Sequence, residues 1–217
     1  MSLTAWRHVP IEENGEPLVR LTGLYSQSWH RTMGRPGSLD EIWMRVNTNR
    51  NLFKAQSYLP QGIKLLVLDG WRPVALHQKI VTADLLEIAA HPELKEILDP
   101  ADITAKHPAP SLTGGRVGVT LCDDQGEPLD MGSVVRHPCL EALTYYYHDK
   151  HSEQAELFHK RRMCLLAAMT RSGFSSDGGA WWRFQHGTQH HHSLVGGPAQ
   201  YGLVTHLPGD HEARAFS

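Results

Sequence analysis

Cysteine is scarce in this chain: three among 217 residues, Cys122, Cys139 and Cys164, in no CxxC or other metal-ligand spacing. That pattern excludes a disulfide framework and a thiolate metal centre, and an odd, scattered set reads as reduced thiols in a cytoplasm. Long apolar runs are missing too, which excludes a membrane-spanning helix. The opening stretch "MSLTAWRHVPIEENGEP" is too polar for a signal peptide, so the expected location is cytoplasmic. An excess of either charge is also absent. The formal net charge of −2 argues against nucleic acid or a membrane surface held by bulk electrostatics. No repeat, low-complexity segment or linker divides the chain. One domain over 1–217 is expected, with 1–20 and 205–217 peripheral, and the oligomeric state stays open.

What is present is an ordinary globular composition, 41% hydrophobic and 20% charged, enough to bury a core. The segment 47–60 predicts a helix, with Leu52, Ala55 and Leu59 at helical spacing and Pro60 closing it. Ile63 to Leu68 predicts a buried strand ending in an Asp69–Gly70 turn. Pro73 then suits the first turn of a helix whose core face would carry Val74, Val81, Leu85 and Ile88. A strand over Arg116 to Cys122 follows a glycine-rich turn. A long helix from about Ser152 to Ser172 would bury Leu157, Cys164, Leu165, Ala168 and Met169, and Gly173 ends it. "AWWRFQHG" and "HHHSLVGG" read as two strands around a turn. Strands and helices alternate without a strict βαβ repeat, so the fold class is α+β.

Fifteen histidines are the one unusual count. In a strand His190 and His192 would share one face, and His186 could join them across a hairpin as a three-histidine metal site. No carboxylate is spaced to complete that set, and adjacent histidines are common on surfaces without metal. Ser111 and Cys122 are nucleophiles on paper, but no base is assigned to either. Cys122 and Cys164 read as packing residues. His77, one turn into its helix, either faces a cleft or lies on the surface. The tyrosines of "TYYYHDKH" (144–151) line a lid or pack in the core.

Three segments, in order, carry a resemblance. "LLVLDGWRPVALHQKI" is a strand, a D-G-[YW]-R-P turn and a helix. "PSLTGGRVGVTLCDDQGEPLDMGS" keeps the T-L pair and L-D-M-G. "HKRRMCLLAAMTRSGFSSDGGAWWRFQHG" keeps the basic pair, G-F and the tryptophan pair. Together they resemble the D-alanyl-D-alanine dipeptidase family, the zinc dipeptidases of vancomycin resistance and peptidoglycan turnover, from about Asn47 to Tyr201. The resemblance implies a small, mainly antiparallel sheet with helices packed on one side. It also implies positions for a zinc site. Registered on Thr120–Leu121, the family's ligand histidine falls on Ser111 and its ligand aspartate on Gly118. Registered on Trp181–Trp182, the catalytic glutamate falls on Ala180 and the last ligand histidine on Arg183. Serine is a poor zinc ligand, glycine and alanine offer nothing, and arginine is a fixed cation. The family's zinc site is therefore expected to be absent, and no cofactor is expected in its place.

Arg72 falls on the arginine that supports the polarised carbonyl in the family; alternatively, it only pins its own turn. With Arg183 it would form a two-pronged anion clamp, walled by Trp181 or Trp182, with Ser111 touching substrate. Asp130 and Met131 read as structural parts of the "LDMG" turn. These residues predict a metal-independent enzyme on a small amino-acid- or dipeptide-like carboxylic acid, in specialised metabolism. A proton would be moved by His186 or His190. Lyase, cyclase, isomerase and hydrolase all stay open. Two other readings stand beside it: a catalytically dead homologue that binds or regulates, and a metalloenzyme rebuilt on His186, His190 and His192.

Overall fold

The computed structural model describes residues 5–96, 98, 104–137, 139–176 and 178–209. Of the flanks expected to be peripheral, 1–4 and 210–217 lie outside the described residues. The elements run in the order β1 (Leu18–Arg20), β2 (Tyr25–Ser26), α1 (Trp29–Thr32), β3 (Trp43–Arg45), α2 (Val46–Ser57), β4 (Lys64–Asp69) and α3 (Val74–Ala90). They continue with β5 (Arg116–Cys122), α4 (Glu153–Arg171), β6 (Arg183–Gln185) and α5 (Gln189–Val195). Four strands form one sheet in the order β2-β4-β5-β6, in which only the β2–β4 pair is parallel. β1 and β3 form a separate antiparallel pair. The class is α+β, as the sequence predicts.

Strand periodicity divides the sheet into two unequal faces. Leu65, Val67, Val117, Val119 and Leu121 point toward α2 and α4, where Leu52, Ala55, Leu165 and Met169 complete the main core. Leu66, Leu68 and Cys122 point the other way, against only Trp29 and Val135. The thinly covered face is where a cleft can open. α4 starts cleanly because the Ser152 hydroxyl accepts from Ala155 N at 3.2 Å, and Glu153 and Glu156 complement the helix dipole.

Three local expectations differ from the structure. α3 buries Leu76, His77 and Ile80, whereas Leu85 is 53% exposed. The helix touches the short 3-10 turns Pro92–Glu96 and Pro110–Leu112, so its inner face is set by the cleft and not by its most apolar stripe. Leu157 is likewise exposed on α4. The second expected strand, "HHHSLVGG", is helix α5. Thr188 caps it by accepting from His191 N at 3.0 Å, and Gly196 ends it at φ 89°. The N-terminal flank is tied to the rest of the fold at two points. Trp6 is buried, and Glu13 receives Arg45 Nη1 at 2.9 Å and Nη2 at 3.0 Å.

No helix among the described residues is long and apolar enough to cross a membrane. One close approach fixes the start of the cleft. A Cβ at Gly70 would lie 2.5 Å from the Trp43 carbonyl oxygen, which itself accepts from Trp71 N at 2.7 Å. Gly70→Ala is expected to destabilise the fold by about 2 kcal/mol through this overpacking, read as a lower urea midpoint.

Candidate functional site

The β4–α3 turn is the centre of the site. β4 is irregular between Val67 and Asp69, a bulge that re-aims Asp69 at the sheet's end. The Arg72 Nε donates to Asp69 at 3.0 Å (Oδ2) and 3.3 Å (Oδ1), with Nη2 on the same carboxylate. Arg136 Nη1 donates to Asp69 Oδ2 at 3.1 Å, and His30 Nε2 stands 3.7 Å away. Burial alone would raise the Asp69 pKa, but Arg72, then His30 and Arg136, hold it well below the usual carboxylate range. Arg72 thus does pin its turn, and its backbone N–H also donates to Ser111 O at 3.0 Å.

Above this ion pair lies a cleft whose empty space, open solvent included, is about 600 Å³. Among its described lining residues are five arginines, Arg35, Arg72, Arg116, Arg136 and Arg183. Asp84 is the one described carboxylate in that lining. Its pKa is raised by burial, against the pull of Arg136, Arg72, Arg116 and Arg35. Two histidines, His77 and His137, and the apolar Ile80, Val81, Leu98 and Trp182 complete the described lining. Ser111 sits one layer deeper: its hydroxyl is 3.1 Å from His77 Nδ1, so it fixes the ring that faces the cleft.

The positions singled out in the sequence separate into two groups. Asp69, Gly118 and Arg183 stand side by side across β4, β5 and β6, bringing Arg72, Arg183, Ser111 and Trp182 to one place. Trp181 is not with them. It is 2% exposed in the core, with its indole N–H donating to Ser133 Oγ at 2.9 Å and its ring edge-on to Trp182. Ala180 is also a core residue. Its carbonyl accepts from Arg183 N at 3.0 Å, closing the turn that points the two tryptophans in different directions.

His186, His190 and His192 lie outside the described cleft lining. On a helix, residues two apart project about 200° from one another, so His190 and His192 share no face of α5. His186 is half-buried beside Phe174, His191 and Tyr201, with Nδ1 3.3 Å from the Tyr201 hydroxyl. His192 Nδ1 donates to Gly196 O at 2.8 Å. Among the described residues no group of three or more His, Cys, Asp or Glu side chains is placed to hold a metal ion. The Cys122 thiol is fully buried and its pKa is pushed up to about 11 by burial, which suits packing and not nucleophilic attack. Of the tyrosines, Tyr147 packs on Phe158 and donates to Gly132 O at 2.6 Å, while Tyr145 is exposed. None of the three is among the described lining residues.

Sequence reasoning missed Arg35, Arg116, Arg136, Asp84 and His137 as lining residues. Two signals were readable. His77, Ile80, Val81 and Asp84 repeat at helical spacing on one face of α3, and Arg116 shares a strand face with Gly118. Arg35 and Arg136 come from loops, where no period announces them.

The family model for D-Ala-D-Ala dipeptidase matches residues 40–197, which includes every strand of the cleft except β2. The chain belongs to this family. A curated relative, the D-alanyl-D-alanine dipeptidase of Synechocystis, is 29% identical over 216 residues, covering 83% of this chain and 86% of the relative. The family's zinc does not fit the residues present. Ser111 has its hydroxyl engaged with His77, Gly118 has no side chain, and Arg183 brings a guanidinium to the place of a ligand imidazole. Restoring an aspartate at 118 meets resistance as well, since any Cβ there would lie 3.1 Å from Asp69 Cβ.

The histidines near and beyond the site set a pH dependence. Burial lowers the His30 pKa to about 4, with Asp69 opposing, and burial with neighbouring His186 and His192 lowers that of His191 to about 4. The unfolded chain protonates both near pH 6.5, while the folded chain waits until about pH 4. Stability is therefore unaffected above that range and falls as pH drops through it, by about 1.4 kcal/mol per pH unit for each histidine. His30→Gln or His191→Gln is expected to flatten the slope by one proton in urea titrations run across this pH range.

Proposed function

We propose that this chain is a metal-independent enzyme acting on a small carboxylate-bearing molecule, such as an amino-acid derivative, in the arginine-lined cleft. The observation that carries the reading is the register of Asp69, Gly118 and Arg183. It sets a guanidinium beside Arg72 where the family resemblance sets zinc ligands. Guanidinium forks recognise carboxylate by paired hydrogen bonds and stabilise an oxyanion or enolate as charge develops on it. Arg72 is already preorganised by Asp69, so it need not reorient during the reaction. Trp182, Ile80 and Val81 exclude water from the apolar part of the ligand.

His77, in place of His186 or His190, is the group that moves the proton in this reading. The Ser111 hydroxyl lies 3.1 Å from its Nδ1 and orients the ring in the wall of the cleft. Ser111 is then a positioning residue. An anion clamp and one proton carrier are compatible with lyase, isomerase, cyclase or metal-free hydrolase chemistry.

Tag-free protein is expected to hold less than one-tenth equivalent of zinc, and to show no chelator-sensitive cleavage of D-alanyl-D-alanine. A panel of small amino acids and dipeptides in deuterated water, followed by proton NMR, is expected to reveal turnover or exchange at a carbon beside the carboxylate. That signal should survive chelator, fall at least 100-fold in His77→Gln, and fall about tenfold with an altered pH profile in Ser111→Ala. Stoichiometric zinc whose removal abolishes the signal would overturn the reading. So would ligand binding without any turnover, which would make the chain a binding module.

A further inference from the structure

We propose that residues 199–204 brace the cleft, and that Val204 is the positioning residue of this brace. Its own peptide N–H and C=O set the spacing between Arg72 and the Ser111–His77 pair. The roles of Arg72 and His77 are those of the preceding reading, on which this inference rests.

The geometry is a closed circuit of hydrogen bonds. The Trp71 indole N–H donates to Val204 O at 3.0 Å, and Val204 N donates to Leu112 O at 2.9 Å. Trp71 precedes Arg72 in the chain, and Leu112 follows Ser111. Arg72 N in turn donates to Ser111 O at 3.0 Å, so the two turns meet both directly and through Val204. One residue thus spans the β4–α3 turn, which carries the guanidinium, and the 3-10 turn Pro110–Leu112, which carries the hydroxyl against the His77 ring. An apolar contact closes the same junction: Leu203 and Val74 pack against Ala109 and Leu112. Val74 opens α3, and His77 stands one turn along it.

A brace transmits position only if its far end is fixed. Ala199 N donates to Pro10 O and Glu12 N to Ala199 O, each at 2.8 Å, and Asn14 N donates to Gln200 O at 3.1 Å. Gln200 N and Tyr201 N both donate to Gly187 O, at 2.9 Å and 3.1 Å. Tyr201 is fully buried, with its hydroxyl donating to Glu16 Oε2 at 3.1 Å and the Arg45 guanidinium carbon 5.1 Å from its ring centre. Arg45 Nε donates to Thr113 O at 2.7 Å, which ties this anchor back to the chain just after Leu112. Residues 10–16 and 199–204 both lie outside the stretch matched by the family model, 40–197. The turns of the site are therefore family elements held by parts of this chain that the family model does not reach. An anion-binding fork and a proton carrier act together only at a fixed separation, and a shift of about 1 Å costs on the order of a hundredfold in rate.

The test uses the full chain. Trp71→Phe keeps an aromatic ring and removes the indole donor, Val204→Pro removes the peptide donor, and Val204→Ala keeps both peptide groups as the control. NMR reads amide hydrogen exchange at Arg72 and the ring resonances of His77. Trp71→Phe and Val204→Pro are each expected to speed Arg72 exchange about fivefold relative to the amides of β4 and β5, the factor that one net hydrogen bond supplies. Each should also move the His77 resonances, while Val204→Ala leaves both readouts unchanged. The double variant should be no worse than either single one, because a brace released at one end transmits nothing from the other. Where turnover is measurable, kcat should fall about tenfold and KM change by less than about threefold. Should Val204→Pro fail to fold, Trp71→Phe and the unaltered chain decide: there the Arg72 amide, the Val204 amide and the Trp71 indole N–H must open as one unit, apart from β4 and β5. Exchange that rises equally at Arg72 and throughout β4 and β5 would mean a general loss of stability and overturn the proposal. So would additive effects in the double variant, or Arg72 and His77 readouts that neither variant moves. Absence of turnover would overturn the catalytic reading alone, since the exchange and resonance measurements need none.

Discussion

The Asp69 carboxylate is fixed at the end of β4, where a bulge turns it out of the sheet's regular pleat. Arg72 from its own turn and Arg136 from a distant loop both bind it, and His30 stands behind. An ion pair of this kind offsets its desolvation only when the geometry is good and the remaining donors are used. Here the result is placement: two cations are held side by side at the floor of a cleft. Gly118 leaves that carboxylate room, and Gly70 lets the chain turn tightly enough for Arg72 to reach back. The missing side chains are therefore as much a part of the site as the arginines.

A second buried arginine does the corresponding work for the core. Arg162 donates from Nε to Met131 O at 2.8 Å, from Nη1 to Leu143 O at 2.9 Å and from Nη2 to Ser133 Oγ at 3.2 Å. It also lies over the Tyr147 and Trp181 rings. The "LDMG" turn and the first tryptophan are thus explained by packing, with Asp130 Oδ1 accepting from Gly132 N at 2.9 Å. The elements shared with the dipeptidase family are those that hold the fold. The positions where the family resemblance places metal ligands carry Ser111, Gly118 and Arg183 in this chain.

Helices α2, α3 and α4 were legible from apolar residues at helical spacing, β4 from a short continuous apolar run ending in a turn, and β5 from the turns on either side of it. Ser111, Gly118, Ala180 and Arg183, where the family resemblance places three zinc ligands and the catalytic glutamate, were singled out for a different reason: flanking motifs set the register. α5 was misread as a strand, although Thr188 as cap and Gly196 as terminator were available signals. The inner face of α3 was misread because its most apolar stripe is not the one the cleft buries. A cleft lined by arginine and histidine leaves no hydrophobic signature on the helix that walls it.

Sequence alone determined the family and the α+β class, since these depend on motifs and apolar patterns that lie along the chain. It could not tell Trp181 from Trp182. The two are adjacent, and only the turn closed by Ala180 and Arg183 sends one into the core and the other into the cleft. Nor could it gather Arg35, Arg116 and Arg136 around Arg72 and Arg183, or set Ser111 against His77 across 34 positions of chain. Those neighbours are made by sheet register and loop closure. A side chain's charge is written in the sequence, but the field it joins depends on which distant charges the fold brings within a few ångströms.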